Sequence, residues 1–223
     1  MTICIAALCD GGKGCVLASD QMTTAHFPIG YEFETDEVEK IVSIAGSTYA
    51  LIAGDVLFAN QVIERTKQQF TKSGSKSIGE IAEITRQFYQ ETRRLHIVHT
   101  QLESRGLNVN SYYQTQQKLV LAIVQMIDQE FRGYNPRVDF IIAGKDSSGC
   151  HIYTVQNPGT IICNDPVGFA AIGTGGPHAI YALIEGDYKK SLPKEKVKEL
   201  VQQAKTRSQV APGVGKQTKI VVV

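Results

Sequence analysis

Thr2, Asp20, Lys40 and Gly54 lie in the first quarter of a 223-residue chain. Together they offer a hydroxyl, a carboxylate, an amine and a glycine backbone amide, the groups that an N-terminal nucleophile needs. A threonine hydroxyl is a weak nucleophile at neutral pH and requires a base within hydrogen-bond reach. When the threonine begins the chain, its own α-amine, with an ordinary pKa of roughly 7.7 to 8, is such a base. One methionine, Met1, precedes Thr2. A small second residue suits routine trimming, so excision of Met1 is expected. A lysine ammonium near the amine favours its neutral form, and a carboxylate would hold that lysine in place; Lys40 and Asp20 are the candidates. Taken alone, Thr2 is more simply the second residue of a strand, and only the combination points to catalysis.

The surrounding pattern supplies elements to position these groups. Apolar runs at 3–9 and 15–19 flank the turn Asp10-Gly11-Gly12-Lys13-Gly14, a hairpin signal. Residues 21–36 read as polar and turn-like, with Pro28-Ile29-Gly30 as a breaker. Runs at 40–44 and 49–53 form a second hairpin about Gly46-Ser47-Thr48, so four strands are expected before any helix. From Asp55 the period becomes helical: Val56, Ala59, Val62, Ile63 and Phe70 recur on one face, and Asp55 is placed to cap the first turn. A second helix follows Ser77 with Ile78, Ile81, Ile84, Phe88 and Leu95. Strands are expected at 138–143, 151–155 and 168–172. A helix starting at Pro177 should bury Ile180, Leu183 and Ile184, and another at about 193–207 should bury Val197, Leu200, Val201 and Ala204. The closing β-branched run, 218–223, suits a central strand. Strands, a helix pair, strands, a helix pair and a last strand suit an α+β layered arrangement.

These residues also carry a resemblance. The run from Thr2 to Cys9, then Cys15 to Asp20, Glu39-Lys40-Ile41 and Leu51-Ile52-Ala53-Gly54-Asp55 resemble the proteasome β-type subunits and the related HslV-type peptidases, members of the N-terminal nucleophile hydrolase superfamily. The resemblance implies a four-layer αββα sandwich of two antiparallel sheets. It places Thr2 on the nucleophile, Asp20 on its acidic partner, Lys40 on the lysine, and Gly54 on the glycine whose amide donates to the oxyanion. Ala171-Ile172-Gly173-Thr174-Gly175-Gly176-Pro177 is similar to the segment supporting the nucleophile, with Thr174 in the place of a serine. By the same correspondence Thr23, Thr24, Val38, Val42, Ile52 and Val56 line the substrate pocket, with Ile52 at its floor. One departure stands near the C-terminus. The family carries an Asp followed three residues later by a Ser, and here the stretch is Thr206-Arg207-Ser208-Gln209-Val210-Ala211-Pro212. Ser208 can hydrogen bond but brings no negative charge.

Composition bounds the alternatives. The chain is 43% hydrophobic and fits one domain with a substantial core, expected over 1–223. With 23 basic and 22 acidic side chains, a general footprint for nucleic acid or an anionic membrane is absent. The five cysteines form an odd set with no Cys-x-x-Cys pair and read as small buried hydrophobes in a reducing compartment. The apolar runs fall far short of the roughly 20 residues that span a bilayer, and no leader precedes Thr2, so a cytoplasmic protein is expected. His96 and His99, three apart on a helix, read as a surface or interface pair, while His26, His151 and His178 stand isolated; no metal site is expected. The Gly-rich segment at 173–176 lacks the spacing of a dinucleotide or phosphate loop, and no cofactor is expected. Residues 92–131 read as an inserted helical hairpin, pausing near Gly106 and Asn108-Val109-Asn110, with Leu119, Ile123, Met126, Ile127 and Phe131 on its second helix.

Two function classes follow. One is a threonine peptidase acting on peptides or unfolded protein, within the homo-oligomeric ring that the resemblance implies, with an ATPase unfoldase as a further partner. The other is a non-catalytic scaffold or regulatory subunit of proteasome-like form. A transpeptidase or ligase would display the same four residues, since an amine can replace water at the acyl-enzyme.

Overall fold

The computed structural model describes residues 2–26, 30–34, 38–73 and 77–223, with 24–26, 30–34, 72 and 73 at the level of the backbone. β1 (Cys4–Cys9) and β2 (Gly14–Asp20) are buried along their whole length. That accounts for their continuous apolar runs, since each strand packs on both faces. They pair antiparallel, Cys4 opposite Ser19, around a 3-10 turn at Asp10–Gly12. β3 (Met22–His26) and β4 (Gly30–Glu34) form a further antiparallel ladder. This corrects the expectation of a turn-like stretch at 21–36 and makes six strands, not four, before the first α-helix among the described residues. Threonine and aromatic residues alternating with polar ones carry a ladder there without a hydrophobic run. Of the expected breaker, residues 28 and 29 lie outside the described residues.

β5 (Ile41–Ala45) and β6 (Thr48–Gly54) lead into α1 (Val56–Ser73), whose first turn is capped as expected: Phe58 N donates to Asp55 Oδ1 at 2.9 Å. α2 (Ile78–Ile97) begins with a capping box between Ser77 and Glu80. The chain then passes through a π turn (Val98–Leu102), the short α3 (Val109–Thr115) and α4 (Leu121–Gly133). These pack around Leu102, Tyr112 and Ile127 as a small cluster of their own. β7 (Val138–Asp146), β8 (Gly149–Gln156), β9 (Thr160–Cys163) and β10 (Phe169–Ile172) follow, then α5 (Gly176–Glu185), α6 (Lys194–Arg207) and β11 (Thr218–Val222).

Besides the two-stranded β3-β4 ladder, two larger antiparallel sheets result among the described residues, in the orders β10-β1-β2-β11 and β5-β6-β7-β8-β9. Between them lie Cys4, Ala6, Leu17, Leu51, Ile141 and Ile172. Outside the first sheet, α5 and α6 bury Ala179, Leu183, Val197 and Val201 against Ile3 and Ile5; outside the second, α1 and α2 bury Val62, Ile81 and Tyr89 against Ile52 and Phe140. The layers therefore run helix, sheet, sheet, helix, the α+β sandwich expected.

Several sequence expectations need correction. β11 is an edge strand, laddered to β2 alone; its β-branched residues face α6 through Ile220 and the inter-sheet core through Val221, which gives the apolar pattern without a second neighbour. The apolar face of α5 is Ala179, Ala182 and Leu183, and Ile184 is exposed; the i, i+3, i+4 set is the one that meets the sheet. Leu95 and Val56 are also exposed. Four cysteines are buried and Cys163 is exposed; all are free thiols. His96 stacks on Tyr134 and His99 lies 3.7 Å from Glu103. Among the described residues no helix is long and apolar enough to cross a membrane.

Candidate active site

Asp20, the last residue of β2, is fully buried and accepts five hydrogen bonds. Its Oδ1 receives Thr2 Oγ1 at 3.0 Å, Ile3 N at 3.0 Å and Lys40 Nζ at 2.8 Å; its Oδ2 receives Met22 N at 3.1 Å and Gly215 N at 2.9 Å. A carboxylate offers about four lone-pair sites, so its acceptor capacity is filled. Asp20 can orient the Thr2 hydroxyl and the Lys40 ammonium, but it is poorly placed to take a proton. Lys40 stands just before β5 and also donates to Met22 O at 2.6 Å, while its own carbonyl accepts Ile52 N at 2.9 Å. The lysine is thus tied to β6, the strand that ends at Gly54.

The turn 173–175 wraps the other side of Thr2. Thr2 N donates to Thr174 Oγ1 at 3.3 Å, and Gly175 N donates to Thr2 O at 3.2 Å. The Thr174 hydroxyl also lies 3.4 Å from Thr2 O and 3.3 Å from Pro212 O. Gly173 has φ +92°, and a Cβ there would sit 2.4 Å from Thr2 O; the glycine lets the turn close on Thr2. Gly54 is as constrained, with φ +118° and a would-be Cβ 1.9 Å from Arg137 O. Any side chain would push β6 away from β7. Cys4 Sγ donates to Ile52 O at 3.3 Å, which seats the end of β6 against the start of β1. Burial pushes that thiol up to about 12 against the field of Lys40, leaving Cys4 neutral at neutral pH and a poor nucleophile.

Ser208 is not bonded to Thr2. It is buried at the end of α6, donates to Ala204 O at 2.8 Å, and its Cβ underpins the turn 3.0 Å from the Cβ position of Gly175. Of the expected pocket residues, Val42 and Ile52 share the face of β5 and β6 that packs on α1. Val56 opens α1 and is 40% exposed, and Val38 is half-buried. Thr23 Oγ1 is buried with no hydrogen-bond partner among the described residues. Thr24 belongs to β3, and its side chain lies outside the described residues.

Three further groups escaped the sequence. The Met22 carbonyl and the Gly215 amide are backbone atoms that no residue type advertises. The third is His151, which is not isolated. Its Nδ1 lies 2.7 Å from Asp165 Oδ2, and its Nε2 lies 2.8 Å from Ser148 Oγ and 3.5 Å from Asp146 Oδ1. The set has the composition of a Ser-His-Asp triad, but the protons are otherwise placed. Ser148 Oγ donates to Asp146 Oδ1 at 2.6 Å, so the ring donates to Ser148 as well as to Asp165. When protonated, the ring donates to both sides and clasps Asp165 to the Ser148–Asp146 pair, an arrangement unlike that of a catalytic base. Burial opposes that charge, yet the Asp165 hydrogen bond and the fields of Asp165 and Asp146 outweigh it and raise the ring's pKa. Asp146, which also accepts Ile78 N at 3.0 Å, is held down at about 2: burial works against it, and the Ser148 hydroxyl and two backbone amides prevail.

A pH dependence of stability follows from these signs. The His151 contribution is complete below the ring's ordinary pKa of roughly 6.5 and is lost as pH rises through the raised folded value. The Asp146 contribution is present above about 3.9 and is lost as pH falls toward about 2. The urea midpoint should therefore fall between about pH 6 and pH 8.5 in the wild type, and much less in His151→Ala. Equal slopes in the two proteins would remove the clasp.

None of the curated proteins matches this chain. The family model described as Proteasome subunit matches residues 94–221, more than half of the sequence. The chain belongs to the proteasome subunit family. The match contains Thr174 and Ser208 and opens at Arg94, inside the segment read as an insertion. Thr2, Asp20, Lys40 and Gly54 precede it. The two antiparallel sheets between helix layers are consistent with this family's fold.

Proposed function

We propose that this proteasome-family chain is an N-terminal threonine peptidase that hydrolyses peptide bonds within a homo-oligomeric ring, acting on peptides or unfolded protein delivered by an ATPase unfoldase. The observation that carries it is the convergence of the Thr2 hydroxyl and the Lys40 ammonium on one buried carboxylate oxygen, at 3.0 and 2.8 Å. Once Met1 is removed, Thr2 Oγ1 attacks the scissile carbonyl carbon. Its proton passes to the freed α-amine and then to the departing amine of the substrate. Lys40 favours the neutral amine electrostatically. The Gly54 amide donates to the oxyanion, and water resolves the acyl-threonine. A second reading, a scaffold subunit of the same form, draws on Ser208, which stands where the family carries an acid.

The proposed pocket of Thr23, Thr24, Val38, Val42, Ile52 and Val56 contains no charged side chain, so substrates with an apolar residue before the scissile bond should be preferred. A fluorogenic panel with apolar, basic and acidic residues at that position measures this. Turnover led by the apolar members is expected. If acidic or basic members lead, the pocket assignment is wrong. If nothing turns over and an electrophilic threonine-directed inhibitor leaves Thr2 unlabelled, the scaffold reading replaces the peptidase. Transfer of the acyl group to an added amine in preference to water would mark a transpeptidase.

A further inference from the structure

Lys205, on α6, is 0% exposed. A lysine amine withdrawn from water is costly unless its protons are satisfied, and two backbone carbonyls contribute to this here. Nζ donates to Gly215 O at 2.8 Å and to Lys216 O at 2.6 Å. The amide of the same Gly215 donates to Asp20 Oδ2 at 2.9 Å. The loop between the 3-10 turn at Ser208–Val210 and β11 has no strand ladder of its own. It touches the candidate site at two points, Pro212 O with the Thr174 hydroxyl and Gly215 N with Asp20.

We propose that Lys205 is a positioning residue for this site. By gripping the carbonyls of Gly215 and Lys216 from α6, it fixes the Gly215 amide on Oδ2 and thereby sets the orientation of the carboxylate on which Thr2 and Lys40 converge. The side chain suits the task because an ammonium has three donors that can serve diverging carbonyls. A methionine of similar length supplies no donor, and a glutamine would reach one carbonyl. The effect on turnover rests on the proposed threonine chemistry; the effect on Gly215 and Asp20 does not.

The test compares wild type, Lys205→Met and Lys205→Arg in the full chain. Amide hydrogen exchange is read at Gly215 and in core strands β1 and β7, and peptide turnover is read as kcat, KM and pH profile. In Lys205→Met, Gly215 should exchange at least about tenfold faster while the core strands keep their protection, since local opening is separable from global unfolding. Its kcat should fall about tenfold or more with KM nearly unchanged, as expected when catalytic groups rather than substrate contacts are displaced. The rate-pH profile should shift, and Lys205→Arg should recover part of both losses. If Lys205→Met fails to fold, Lys205→Gln carries the same readouts. Unchanged exchange at Gly215 overturns the proposal, as does faster exchange in an active enzyme with kcat and pH profile intact. A wild type that neither turns over peptide nor labels at Thr2 fails the peptidase reading alone, and Gly215 exchange still decides the role of Lys205.

Discussion

A chain that begins at Thr2 should hydrolyse peptides, and one that keeps Met1 should be inactive by several orders of magnitude. In the Met1-bearing chain the Thr2 nitrogen is an amide. It donates to Thr174 Oγ1 at 3.3 Å and has no lone pair with which to take a proton. The nearest carboxylate is filled by five donors, so the Thr2 hydroxyl is oriented but not activated. General base catalysis contributes about 10² to 10⁴ in rate, and a nucleophile that loses its base loses the attack that follows. The comparison is made by releasing a cleavable N-terminal tag to leave Thr2 first, checking intact mass, and assaying both forms beside Thr2→Ala. Activity of the Thr2-starting form should rise with pH as its amine deprotonates, roughly 7.7 to 8 for an unperturbed group. A Met1-retaining form of equal activity would dismiss the α-amine as base.

Much of the fold was legible because its strands and helices carry their own signals. β1 and β2 are apolar without interruption since both faces are covered; Asp55 caps α1 as expected, and α2 starts after Ser77 as expected, where Ser77 proves to be the cap. What escaped was structure held by pairing. The β3–β4 ladder joins polar strands, β9 has four residues, and β11 differs from a central strand only in lacking a second neighbour, which no periodicity reveals. The site divides in the same way. Thr2, Asp20 and Lys40 are residue types whose chemistry is visible in a string, and they are brought into contact. Gly215 meets Asp20 across 195 positions through a backbone amide, and Lys205 reaches the backbone carbonyls of Gly215 and Lys216, so neither has a sequence signature. His151 looked isolated because its partners arrive from a turn and from a loop 14 residues away.

Replacing Lys40 with alanine should leave a folded protein whose turnover falls by orders of magnitude, comparably to Thr2→Ala. The Lys40–Asp20 pair is buried, at 9% and 0% exposure. Removing one partner of a buried pair costs about 3 to 5 kcal/mol when the other charge is stranded. Asp20 is not stranded, because the Thr2 hydroxyl and the amides of Ile3, Met22 and Gly215 still reach it. The stability loss should therefore stay well below that range, and the fold should survive. Under the proposed mechanism catalysis has no such reserve: Lys40 is the cation that favours the neutral Thr2 amine, and the hydrogen bonds that remain on Asp20 add no cation in its place. A surface lysine would behave otherwise, since its substitution shifts stability by under about 0.5 kcal/mol and leaves turnover alone. Groups acting as one unit are also non-additive, so the double variant should be scarcely slower than either single one. Peptide turnover and electrophile labelling across the four proteins, with circular dichroism as the folding control, make the measurement. A folded, fully active Lys40→Ala would mean that the pair with Asp20 is structural and that the Thr2 amine works without it.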